Sequence, residues 1–84
     1  MPKTPRISIP LAVRELVLQR DNYQCQSCGK QGQCVGLQID HIIPLALGGS
    51  NDLSNFQVLC GPCNRRKRDR LDPRFQRRFT GSVQ

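Results

Sequence analysis

The sequence predicts a small α+β domain stapled by zinc, on three observations. The chain has 84 residues, enough for one hydrophobic core and no second. Two Cys-x-x-Cys knuckles, Cys25–Cys28 and Cys60–Cys63, offer four metal ligands. Around them run a helix-periodic segment, two short strand-like segments and a basic, helix-tolerant segment, in that order. With three Phe, one Tyr and no Trp, the core has few large apolar groups, and domains of this size often need a metal or disulfides to hold together.

Residues 1–9, with Pro2 and Pro5 followed closely by Pro10, predict an extended lead-in. Arg14 and Glu15 then interrupt any apolar run long enough for a signal peptide or a membrane span, which predicts a cytoplasmic protein with no membrane partner. A helix is expected from Pro10 to about Arg20, with Ser8 or Ile9 as its N-cap and Val13, Leu16 and Val17 on one face. Asp21-Asn22 supplies a turn, and Cys28-Gly29-Lys30 with Gly32 reads as a tight knuckle. Val35 to Ile43 reads as a strand ended by Pro44, with His41 sharing the parity of Leu37, Ile39 and Ile43. In a regular strand Asp40 and His41 point to opposite faces, so their joint use in one site requires a bend.

Gly48 to Asp52 reads as a loop, Phe56 to Leu59 as a second strand, and Pro62 or Cys63 to about Arg70 as a helix ended by Asp72-Pro73. Phe75 and Phe79, four apart, predict a short further helix. The expected organisation is a lead-in over 1–9, a domain over 10–72 and a basic tail over 73–84.

In a reducing compartment, closely paired cysteines favour metal over disulfide. Each knuckle lets two sulfurs converge about 2.3 Å from one ion, so Cys25, Cys28, Cys60 and Cys63 predict a closed structural zinc site. Cys34, six residues past Cys28, is left as a free thiol.

His41 is the only histidine of the chain. Beside it, Asp40 is a hard oxygen ligand, and Asn55 and Asn64 are neutral oxygen donors. A divalent ion on one carboxylate and one amide oxygen keeps positions open for water and phosphate, while an unligated imidazole can take a proton near neutral pH. Residues 64–84 hold eight Arg and Lys against Asp69 and Asp72, a net +6 of the chain's +7. Such clustering favours phosphate and predicts a nucleic-acid partner.

The strings D-H-I-I-P, G-G-S-N-D-L-S-N and L-C-G-P-C-N-R-R-K, entered through R-D-N-Y-Q-C-Q-S-C-G, resemble the HNH endonucleases, particularly the small stand-alone kind of bacteriophages and bacteria with a four-cysteine zinc knuckle. The resemblance covers about residues 20 to 68. It implies a ββα-metal finger flanked by short helices, and a metal-dependent endonuclease acting on DNA phosphodiester bonds. By the same resemblance His41 is the general base, and Asn55, the other catalytic position, mainly holds the loop that orients it. Asp40 and Asn64 bind catalytic Mg²⁺ or Mn²⁺, and the four paired cysteines bind structural Zn²⁺. Asn64 stands at the last motif position, commonly histidine but asparagine in some branches, including the HNH domain of CRISPR effector nucleases, which makes the chain an H-N-N variant. Arg65, Arg66, Lys67, Arg68 and Arg70 are expected to contact DNA, with Lys67 matching a basic residue often found there. Phosphate contacts carry little sequence information, so specificity should be low. Partners such as phage terminase or other packaging proteins fit this kind of nuclease. A non-catalytic zinc finger that binds DNA or RNA through its basic helix is the competing class; it needs the zinc and the arginines but not Asp40, His41 or Asn64.

Overall fold

The computed structural model describes residue 5 and residues 7–32 and 36–79. Cys34 lies outside the described residues, as does the expected start of the first strand at Val35. Helix α1 (Leu11–Arg20) is followed by a cysteine knuckle, strand β1 (Leu37–His41), strand β2 (Phe56–Cys60) and helix α2 (Gly61–Lys67). Single 3₁₀ turns occur at Leu45–Leu47, Leu53–Asn55 and Pro73–Phe75. The two strands pair antiparallel from Leu37↔Cys60 to His41↔Phe56, and both helices pack against both strands.

Helix α1 begins one residue later than expected. Pro10, not Ser8 or Ile9, is the N-cap, and its carbonyl accepts from Arg14 N at 2.9 Å. The inward face is Val13, Val17 and Leu18, while Leu16 is exposed. Three apolar spacings were available, and the face that meets the sheet is decided by where β2 lies. Asn22 and Tyr23 take left-handed conformations (φ 60° and 49°) and reverse the chain into the first knuckle.

All five residues of β2 are buried although the sheet has two strands, because β2 is covered by other elements on its open side. Gln26 N donates to Val58 O at 2.9 Å, and Val58 N donates to the Asp21 carboxylate at 2.9 Å. Asp21 is fully buried and also receives Arg20 and Arg77, at 3.0 and 2.9 Å. One carboxylate therefore ties the end of α1 to the second strand and to the chain beyond residue 72.

Helix α2 stops at Lys67, short of Arg70, where Arg68 turns to φ 55°. Residues 73–79 form a 3₁₀ turn, a bend and a second turn instead of a helix, and they lie against the core. Phe75 is 4% exposed and belongs to the apolar cluster of Val17, Val58 and Leu59. Arg78 N donates to Gln26 O at 3.0 Å, and the Phe79 ring covers Gly29 so closely that a Cβ there would sit 2.9 Å from it.

Candidate metal centre and cleft

The first knuckle follows the α1 turn and the second runs from the end of β2 into α2, so the antiparallel register brings the two pairs together. Cys28 Sγ and Cys60 Sγ are 3.8 Å apart, and all four sulfurs lie within 4.8 Å of one another. Sulfurs at the corners of a zinc tetrahedron, about 2.3 Å from the ion, are about 3.8 Å apart. Among the described residues this is the only such cluster, and its cysteines are free thiols.

Burial works to raise the Cys25 thiol, but the backbone N–H groups of Cys28, Cys60 and Ser27 outweigh it and bring the thiol down to about 6. Burial, reinforced by the neighbouring sulfurs, pushes Cys63 up to about 12 and raises Cys60 as well. One thiolate thus opposes ionisation of the next, and a dication is what lets all four ionise together. The donor set fits zinc. Arg66 Nη2 donates to Cys63 Sγ at 3.1 Å, which links the basic helix to the knuckle.

On the other side of α2, Asp40, His41 and Asn64 line one cleft of about 110 Å³, together with Pro44, Arg68 and Asp69. The expected bend in β1 is absent: pairing continues through Asp40↔Gln57 and His41↔Phe56. The two side chains diverge, the carboxylate to Gln57 and Lys67 and the imidazole to Asn51, while both residues line the cleft at the end of the strand. Asp40 is 7% exposed, and burial raises its carboxyl above the usual range against the opposing hydrogen bond from Gln57 and the charge of Lys67. Gln57 Nε2 donates to Asp40 Oδ2 at 3.0 Å, and Lys67 Nζ lies 3.3 Å from each carboxylate oxygen.

Lys67 departs from its expected place among the DNA-contacting residues. Its side chain is fully buried, and its ammonium is held by Asp40 and, at 2.9 Å, by the His41 carbonyl. A buried carboxylate demands a counter-charge, and Lys67 is the cation within reach. The arginines stay outside. Arg65, Arg66, Arg68 and Arg70 line a separate groove of about 730 Å³ with Arg74 and Phe75, and Arg68 lines both this groove and the cleft.

Asn64, on α2, donates from Nδ2 to Gln38 Oε1 at 2.6 Å, which leaves its carbonyl oxygen as the atom for a cation. Asn55 does not line the cleft. Its side chain donates to Ile43 O and Ser50 O at 3.0 and 2.9 Å and accepts from Ile43 N at 2.8 Å, closing the 43–50 loop. Gly49 is required there, since a Cβ would fall 1.8 Å from Ile43 O. His41 Nε2 lies 2.9 Å from Asn51 Oδ1, and its ring meets Phe56 edge-on at 5.1 Å. Gln57, Asp69 and Asn51 were not singled out in the sequence. Asn51 reads there as one more loop residue, and only a cross-strand register can pair Gln57 with Asp40.

A family model described as HNH endonuclease matches residues 25–80, more than half of the chain. A probable HNH endonuclease of Lactococcus phage SK1 is 36% identical over 63 residues, 68% of this chain and 66% of that protein. The type IV methyl-directed restriction enzyme EcoKMcrA of Escherichia coli K12 is 32% identical over 59 residues, 63% of this chain and 21% of that enzyme. Among solved structures, the type II-C Cas9 enzyme from Actinomyces naeslundii superposes with a TM-score of 0.62 and 34% identity, over 80% of this chain and 7% of the larger one. The chain thus spans about two thirds of the phage relative and a small part of the other two.

Proposed function

The chain belongs to the HNH endonuclease family, and from that premise we propose that it is a metal-dependent endonuclease that hydrolyses DNA phosphodiester bonds with little sequence preference. The observation that carries the proposal is the convergence of Asp40, His41 and Asn64 on one cleft. Two of these residues are on β1 and one is on α2, and they meet although the sequence separates them by more than twenty positions.

A divalent ion fits the donors. Asp40 and the Asn64 carbonyl are hard oxygens, which suit Mg²⁺ or Mn²⁺, and the ammonium of Lys67 already marks the carboxylate as a place for positive charge. Bound there, such an ion supplies Lewis-acid neutralisation of charge on phosphate oxygens. His41 takes the proton from the attacking water. Asn55 keeps the loop closed behind it, and is a positioning residue. Arg68 leads the DNA backbone from the cleft into the arginine groove, where Arg65, Arg66 and Arg70 hold flanking phosphates and Arg74 joins them. The expected products carry a 5′-phosphate and a 3′-hydroxyl, by analogy with the family, and one small site cuts one strand per encounter. The four cysteines hold zinc as a structural ion.

The test is cleavage of supercoiled plasmid by the zinc-loaded protein with Mg²⁺ or Mn²⁺. Nicking by the wild type and none by His41→Ala, with zinc content and DNA binding retained, is the expected result. Absence of cleavage by either protein while DNA binding persists would favour a binding module instead. Loss of folding in His41→Ala would leave the base assignment without support.

A further inference from the structure

Asn51 lies outside the His41, Asn55 and Asn64 set, yet its side chain makes two directed bonds. Nδ2 donates to the Pro5 carbonyl at 3.2 Å, and Oδ1 lies 2.9 Å from His41 Nε2. The Pro5 carbonyl can only accept, so it fixes which way the amide faces. Oδ1, turned to the imidazole, also can only accept, and Nε2 must therefore carry the proton. Phe56 sets the plane of the ring, at 77° to its own, and the His41 carbonyl is anchored by Lys67 Nζ at 2.9 Å. Among the described residues no hydrogen bond occupies Nδ1.

The geometry points to Asn51 as a positioning residue that holds His41 in the Nε2–H tautomer and leaves Nδ1 to take the proton from water. The inference rests on the reading of His41 as the base, and adds which nitrogen acts and what selects it. Pro5 thereby becomes the last link of a relay from the N-terminal segment to the cleft. A histidine whose tautomer and ring orientation are fixed by an outer partner depends on that partner for its proton transfer.

Because the chain has one histidine, its imidazole nitrogens can be observed without assignment in the full, zinc-loaded protein labelled with ¹⁵N-histidine. The wild type at a pH where the ring is neutral should show a hydrogen-bonded proton on Nε2 and a bare Nδ1. In Asn51→Ala that hydrogen-bonded proton signal should disappear while the backbone amide spectrum stays native. Its kcat for plasmid nicking should fall about 10- to 100-fold with KM for DNA unchanged. Asn51→Asp, which keeps an acceptor at Nε2, should recover the signal and much of the rate. A proton on Nδ1 in the wild type, or wild-type kcat in Asn51→Ala, overturns the inference. Failure of the base reading is separable: full nicking by His41→Ala would remove the catalytic half of the inference, whereas the spectrum reads the hydrogen bond without any cleavage.

Discussion

Asp40 and His41 are neighbours in the chain with opposite surroundings. The carboxylate is turned inward, where Gln57 and Lys67 hold it, and the imidazole is turned towards the loop. Removing one partner from a buried ion pair leaves the other charge stranded, typically at about 3–5 kcal/mol. Lys67→Met should therefore destabilise the protein by about 3 kcal/mol in buffer holding zinc but no other divalent ion. Added Mg²⁺ or Mn²⁺ should restore part of the loss, since an ion that binds only the folded state stabilises it by mass action. Thermal melts with and without the ion check this, and equal melts for the variant in both buffers would contradict a cation site at Asp40.

At the scale of elements, β2 and α2 are joined through the second knuckle, so the four-cysteine cluster lies where the sheet meets the basic helix. Structural zinc in small fingers contributes about 10–16 kcal/mol of apparent binding free energy, as much as the whole stability of a typical domain. Cys60→Ala, or a strong chelator at neutral pH, should unfold the chain, and circular dichroism with a zinc titration reads the outcome. A folded, active Cys60→Ala protein would contradict the structural zinc.

The turn at Pro73–Phe75 depends on Asp72, whose side chain accepts from Arg74 N at 3.0 Å and pairs with the guanidinium at 2.8 Å. The Arg74 hydrogen bonds hold the Asp72 carboxyl down at about 2. A depressed carboxyl stabilises above its ordinary value of 3.8 and loses that contribution as pH falls through about 2. An NMR titration of Arg74→Ala should show Asp72 moving back towards 3.8.

Over the whole molecule, the chain beyond residue 72 acts as a clasp. Asp21 joins α1, β2 and Arg77, while Phe75 fills the core beside Val58. Asp21→Ala should cost about 3–5 kcal/mol, because it strands buried donors and Arg77 at once, and Phe75→Ala should cost a similar amount. Urea unfolding gives both values, and a loss under about 1 kcal/mol for either would mean that the clasp is dispensable. The arginine groove makes a different demand. DNA affinity should fall steeply with added salt, and each arginine replaced should lower the slope of log K against log salt by about one.

The motifs and their order were legible from the residues, because local chemistry dictates them. Paired cysteines, the D-H-I-I-P turn, Gly48-Gly49 and the arginine run keep their meaning whatever the chain does around them, and both strands and both helices fell close to their expected bounds. Pairings across the fold were not legible. Lys67 looks like one more cation in a basic run, Asn51 like a loop residue, and Gln57 like a polar position in a strand. Each acquires its partner only when antiparallel register and the packing of α2 bring together groups 10 to 27 positions apart. The kinds of chemistry available were thus set by sequence, while folding decided which groups are buried, which face each other and which nitrogen of the one histidine is left free. Desolvation and hydrogen-bond direction depend on distance in space, and a linear pattern carries neither.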